Sequence, residues 1–315
     1  MKTKISAMGL AYTVNKDGST CRIVGIGSFD GKELTVPETL DGYKVKSIAN
    51  EAFRECAALV SAEIGDGVES IGAEAFACCT ALCRVKIADS VKNIGWGAFL
   101  DCVSLSDLSL GNGVTEIGAC AFFGCGAQIR IPASAAVIGE QAFCGAVCIA
   151  VSEENARYVS ADGNLYTKDM KTLLQYATGK KETSFTIPDS VTEIGCFAFG
   201  GAVHLSAVRF GKNVRSIGSN AFHACTALWA AVLPDGLQQI GESAFCGCTS
   251  LSAVSVGKTA PKIGWGAFAN CPNLCAVKHR GKHPIWKKIL LGKKQRADAS
   301  FRELSLGGLK FKFRF

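Results

Sequence analysis

The sequence predicts a β-rich repeat solenoid, with a parallel sheet along one side and short helical or 3₁₀ turns closing each coil. Three observations carry this. An Ala-Phe pair recurs at Phe53, Phe76, Phe99, Phe122, Phe143, Phe199, Phe222, Phe245 and Phe268, at separations of 23, 23, 23, 21, 56, 23, 23 and 23. An isoleucine stands five residues before every one of these rings: Ile48, Ile71, Ile94, Ile117, Ile138, Ile194, Ile217, Ile240 and Ile263. A cysteine stands three residues after seven of them: Cys56, Cys79, Cys102, Cys125, Cys225, Cys248 and Cys271. A 23-residue unit cannot bury its own inward side chains, so units in such register must stack on one another. A chain of 315 residues is also longer than one globular core usually supports.

The elements follow in chain order. Residues 1–42 read as a β-hairpin N-terminal cap. Leu10, Tyr12 and Val14 alternate, Asn15-Lys16-Asp17-Gly18 is a turn signal, and Cys21 to Ile26 supply the returning strand. Residues 43–150 read as repeats one to five. In the unit Leu82 to Cys102, Val85 and Ile87 alternate as a short strand, Val91 and Ile94 face inward on the return path, and Ala98-Phe99 closes the coil. Gly95 is read as the residue that permits the bend. Residues 151–184 read as a hairpin insertion, with turn signals at Asp162-Gly163 and Lys168-Asp169. Residues 185–277 read as repeats six to nine. Residues 278–315 read as a C-terminal cap and basic tail, with Lys310 to Phe315 alternating strictly between cation and Phe.

This pattern of Leu-x-x-Val-x-Ile, then Val-x-x-Ile-Gly, then Ala-Phe-x-x-Cys resembles the BspA-like leucine-rich repeat of bacterial surface proteins. The segment Ile187-Pro188-Asp189-Ser190-Val191-Thr192-Glu193-Ile194-Gly195 is close to that family's consensus. The resemblance spans about Tyr12 to Gly292 and implies a leucine-rich-repeat coil stack with a hairpin cap, and Trp286 to Ile289 resemble the family's terminal coil. It further implies a cell-surface or secreted protein engaged in adhesion, co-aggregation or host-protein binding. A fold of this kind fixes architecture far more tightly than activity.

Composition and spacing narrow the chemistry. Hydrophobic residues are 48% and charged residues 19%, which excludes a wholly disordered chain. No apolar run is long enough to span a bilayer as a helix. The net charge of +7 is uneven: Lys278 to Phe315 carry 12 Lys+Arg against 2 Asp+Glu, a net +10, which leaves −3 for the rest. That tail could meet phosphate, anionic lipid or an acidic protein, or simply remain a solvated charge run. The repeated cysteines fall at one coil position and are expected to stack as buried thiols packing like small hydrophobes. The Cys-x-x-x-Cys pairs are too far apart along the array to share a metal. The four histidines form no Ser-His-Asp or Cys-His arrangement. The expectation is therefore a protein that is not an enzyme, with no cofactor, no metal site and no small-molecule substrate.

What remains is the outward side of the strands. There Arg84, Lys86, Asp107, Arg209, Trp229 and Val232 are the candidate partner-binding residues, because aromatic and Arg side chains on an exposed sheet supply typical interface anchors. Trp229 stands out where adjacent units place Ser206 and Ser252. Trp96 and Trp265 fall on the turn side, where adjacent coils are expected to cover part of them. The partner is expected to be another protein, from a host or from bacteria. Met1 to Leu10 contain no apolar leader segment. Together with the many unpaired thiols, this keeps open an alternative, a cytoplasmic scaffold or inhibitor.

Overall fold

The computed structural model describes residues 2–279, 301–306 and 309–314. Trp286 to Ile289, read above as a terminal coil, lie outside them. The chain divides into two compact units, Met1–Lys180 with Gly195–Gly201, and Lys181–Ile194 with Ala202–Phe315.

In the first unit, strands Ala11–Val14 and Thr20–Gly25 form an antiparallel hairpin. The Asp17 carboxylate closes its turn by accepting from the Ser19 and Thr20 amides at 2.9 Å. The returning strand then pairs in parallel with Tyr43–Ile48, which hands the pairing on to the first of a row of two-residue strands, Ser70–Ile71, Asn93–Ile94, Glu116–Ile117 and Val137–Ile138. A second parallel sheet joins Glu33–Val36, Ser61–Ile64, Arg84–Ile87 and Asp107–Ser109. Gln128–Ile131 and Cys148–Val151 form a further parallel pair. Each coil thus supplies two strand segments, one more than the sequence reading assigned. Tyr158–Ala161, Asn164–Thr167 and Thr172–Gln175 follow as an antiparallel meander.

The second unit repeats the plan. Ser184–Thr186, Ala207–Arg209, Ala230–Val232, Ala253–Val256 and Ala276–His279 form one parallel sheet. Glu193–Ile194, Ser216–Ile217, Gln239–Ile240 and Lys262–Ile263 form the short-strand ladder. Phe301–Leu306 and Leu309–Arg314 pair as an antiparallel hairpin.

The repeated rings make the core. Phe53, Phe76, Phe99, Phe122 and Phe143 stack with centroids 5.0 to 6.1 Å apart, and Phe222, Phe245 and Phe268 with centroids 4.9 and 5.1 Å apart. That distance is close to the spacing of neighbouring strands, so one ring per coil fills one layer. Burying each ring stabilises by about 1.5–3 kcal/mol. Tyr176 takes a rung of the same kind, its ring stacked at 5.1 Å on Phe199.

The closing turns differ from the sequence expectation of helical or 3₁₀ geometry: the described residues contain hydrogen-bonded turns and no helix. The cause is local. The residues two before and two after each Phe hold positive φ, as at Glu74 and Cys78 around Phe76, Gly97 and Asp101 around Phe99, and Asn220 and Ala224 around Phe222. Two left-handed residues in five break any right-handed helix. The freed amides reach the next coil instead: Phe53, Phe76 and Phe99 donate to Ala75, Ala98 and Ala121 carbonyls at 2.7 to 2.8 Å.

Gly95 also plays a different part from the one read in sequence. Its φ is not left-handed; a Cβ there would lie 2.6 Å from the Ala73 backbone nitrogen. The glycine after each Ile lets successive backbones approach. Ala49 replaces it only in the first coil, below which no Ala-Phe turn lies.

Candidate functional site

The cysteine ladder is structural. Cys79, Cys102 and Cys125 donate their thiols to the Phe53, Phe76 and Phe99 carbonyls at 3.1 to 3.2 Å. Cys248 and Cys271 do the same to Phe222 and Phe245 at 3.1 Å. Neighbouring ladder thiols and burial push Cys79, Cys102, Cys248 and Cys271 well above the ordinary thiol range. Burial pushes Cys56 up to about 11. Such thiols stay protonated and unreactive. None of the 16 cysteines, all among the described residues, forms a disulfide, and Cys275 alone is exposed. No group of three or more His, Cys, Asp or Glu among the described residues is placed to hold a metal ion.

On the outward sheet face the two units differ. In the first unit Arg84 donates to Asp107 at 2.8 Å, and Lys86 to Glu63 at 2.6 Å. Parallel register sets these partners side by side, because Ser61, Arg84 and Asp107 occupy one column and Glu63, Lys86 and Ser109 the next. All four charges are well exposed, so each pair contributes at most about 1 kcal/mol to stability. Their effect on recognition is larger: three of the six candidate residues, Arg84, Lys86 and Asp107, already satisfy one another or Glu63 within the sheet.

The second unit carries an uncharged column in the same register, Ala207, Ala230, Ala253 and Ala276. Beside it run Arg209, Val232, Ser255 and Lys278. Trp229 is half-buried rather than freely exposed, packed with Val232 and Ala276 against Ala230 and Ala253. Arg209 is exposed and makes no ion pair with the described residues. Nearby Asp189 is held below its ordinary carboxylate range chiefly by hydrogen bonds from Lys212, with a smaller contribution from Arg209. Arg209 and Val232 share a concavity of about 730 Å³, with Phe185, Phe210, Lys212 and Asp235 also on its walls. The structure therefore brings Arg209, Trp229 and Val232 onto one face, and places Arg84, Lys86 and Asp107 on the other unit.

The sequence reading missed two things here. The alanine column was visible as Ala at the same offset in four successive repeats. Trp96, 48% exposed, is covered in part as expected, whereas Trp265, 82% exposed, stands almost open. Both follow the Ile-Gly pair, where the chain turns outward.

The comparisons with known proteins agree with this architecture. The family model for the BspA type leucine rich repeat region, in six copies, matches residues 23–150 and 176–284. A leucine-rich repeat protein from Eubacterium ventriosum superposes with a TM-score of 0.67 at 22% identity, over 88% of this chain and 85% of that one. One from Bacteroides ovatus gives 0.62 at 28% identity, over 87% and 70%. The pneumococcal vaccine antigen PcpA gives 0.62 at 18% identity, over 90% and 88%. A search of curated proteins finds no match.

Proposed function

The chain belongs to the family of BspA-type leucine-rich repeat proteins, and from that premise we propose that it is a non-catalytic, protein-binding surface protein acting in bacterial adhesion or host-protein contact. Its working surface is the outward sheet face of the second unit, centred on Trp229, Val232 and Arg209. The basic tail serves as a secondary contact for anionic groups. No helix among the described residues is long and apolar enough to cross a membrane.

One observation carries the choice of face: an uncharged Ala207, Ala230 and Ala253 column stands beside Val232 and the exposed Arg209, whereas the outward charges Arg84, Lys86 and Asp107 of the first unit are held in ion pairs. A partner docking on the first unit must break existing ion pairs to gain new ones. A partner docking on the second gains apolar burial at Trp229 and Val232 and a free guanidinium at Arg209. Aromatic and Arg anchors of that kind each contribute about 2 kcal/mol or more to an interface.

The test is surface plasmon resonance of the purified chain against a panel of immobilised host matrix proteins and bacterial surface proteins. Saturable binding to a member of that panel is expected, weakened by about tenfold or more in Trp229→Ala with Arg209→Ala. Binding that survives that double change intact would refute the face, and silence across the panel would refute the adhesive role.

A further inference from the structure

The parallel sheet of the first unit is interrupted after Asp107–Ser109. Pairing runs from Glu33–Val36 through Ser61–Ile64 and Arg84–Ile87 to that strand, stops, and resumes as the separate pair Gln128–Ile131 with Cys148–Val151. The sequence supplies the cause. Cys79 and Cys102 precede the central strand residues Val85 and Leu108 by six positions, whereas Cys125 precedes Ile129 by four. Ala127 stands in that shorter link, where other coils carry Leu59, Leu82 and Leu105. The interruption opens the core. At equivalent coil positions Val85 and Ile129 are 1% exposed and Ile87 and Ile131 2%, but Leu108 is 8% exposed and Leu110 half-buried. A main-chain donor is lost as well. Gly65, Ala88 and Ser152 each donate an amide to the carbonyl that ends the preceding strand, at 2.9 to 3.1 Å. Pro132 holds that place opposite Leu110 and has no N–H to give. Leu108, Leu110, Ile131 and Pro132 line a concavity of about 520 Å³ at the break, with Asn112 and Arg130 also on its walls. Arg130 is exposed, and no carboxylate stands among the described residues that line the concavity. Asp107, on the bordering strand, is already engaged by Arg84 at 2.8 Å.

We propose that this break is a docking site for an extended peptide segment of a partner protein. The segment seats an aliphatic side chain against Leu108, Leu110 and Ile131, donates a main-chain N–H to the Leu110 carbonyl, and sets a neighbouring carboxylate on Arg130. Each part answers a group that the interruption leaves open. Apolar surface uncovered at the break gains from burial. A carbonyl deprived of its ladder donor takes another N–H, as open sheet edges do when a strand is added to them. A guanidinium holds a carboxylate by charge-assisted, paired hydrogen bonds. An extended chain carries all three groups within a few residues, because it rises about 3.3 Å per residue and sends successive side chains to opposite sides. A free small anion would satisfy Arg130 and leave the leucines uncovered. This site lies within the first unit and is independent of the face proposed above in the second.

Fluorescence anisotropy with the isolated full chain tests it. The probe is a labelled hexapeptide that alternates leucine and aspartate and is capped at both ends. Saturable binding is expected, weakened by about tenfold or more in Arg130→Ala and by asparagine in place of the peptide's aspartates. Methylation of the peptide's backbone nitrogens should weaken it likewise. Arg22→Ala, at an exposed arginine of the N-terminal hairpin, should leave it unchanged. No saturable binding would overturn the proposal, as would binding indifferent to Arg130→Ala or to backbone methylation. Equal loss in Arg22→Ala and Arg130→Ala would reveal general charge attraction and overturn it too. Displacement of the peptide by an equal concentration of N-acetylaspartate would reassign the concavity to free anions. Binding lost in Trp229→Ala with Arg209→Ala but kept in Arg130→Ala would move the peptide to the second unit's face and overturn this site while leaving that one standing.

Discussion

At the scale of single residues, the fold rests on positions where only one kind of atom fits. Gly95 and Gly97 are two residues apart and serve different ends. A Cβ at Gly95 meets backbone at 2.6 Å, which no rotamer can relieve, whereas Gly97 has room but holds φ at +56°. Gly95→Ala should therefore cost about 3 kcal/mol as overpacking against rigid backbone, and Gly97→Ala about 1 kcal/mol as left-handed strain. Ala224 is the converse, an L-residue at φ 55°, so Ala224→Gly should stabilise by up to about 1 kcal/mol. Urea titrations of the three variants check the order. The thiols give a second test. Iodoacetamide at pH 8 should modify Cys275 in the native chain and spare Cys79, Cys102, Cys125 and Cys248, as peptide mapping would reveal. Equal labelling of exposed and ladder thiols would contradict the ladder. The thiol column was legible in the sequence because its spacing repeats. The glycine's purpose was not, because close approach and bending both call for glycine and only coordinates separate them.

At the scale of elements, the meander in the first unit is held by a few buried polar groups. Asn155 is 0% exposed. Its amide donates to the Pro132 and Ala135 carbonyls at 2.9 Å, and its carbonyl accepts from the Arg157 and Tyr158 amides at 2.9 Å. One side chain thereby satisfies four backbone groups. Asn155→Ala should cost about 3 kcal/mol, because those groups stay buried without partners. A loss under about 1 kcal/mol in chemical denaturation would mean that the coil end is held by packing alone. The antiparallel character of this segment was legible from Asp162-Gly163 and the alternation around it. The rung at Tyr176 was not, although it precedes Phe199 by the repeat length of 23; a search confined to Phe passes over a ring that differs by one hydroxyl. The outward side chains were legible by period 2, but their ion pairs were not, since Arg84 meets Asp107 only once coils are in register.

At the scale of the whole molecule, stacked coils share one electrostatic consequence. Burial and a hydrogen bond to Asp41 push Tyr12 up to about 12, and burial pushes Cys21 and Cys56 up to about 11. The ladder thiols shift the same way. Groups of this kind keep their protons longer when folded than when unfolded. Above the ordinary thiol value of 9.0 the unfolded chain binds fewer protons, so stability falls as pH rises. The urea midpoint should be level from pH 7 to pH 8 and drop between about pH 9 and pH 11; a midpoint that rises over that range would contradict the buried, protonated thiols. Repeat period and solenoid class were readable from one sequence because every coil restates them. The proposed working face was not, because its distinction is collective, an uncharged column in the second unit where the first unit carries ion pairs.

The most direct test of that distinction compares two charge changes against one protein partner identified in the binding panel. Val232→Asp alters the second unit's face, and Lys86→Ala with Glu63→Ala removes one pair from the first. Titration of both by surface plasmon resonance should give about a tenfold or greater rise in Kd for Val232→Asp, with little change for the paired removal. The reverse order, or equal sensitivity of the two faces, would contradict the assignment of binding to the second unit.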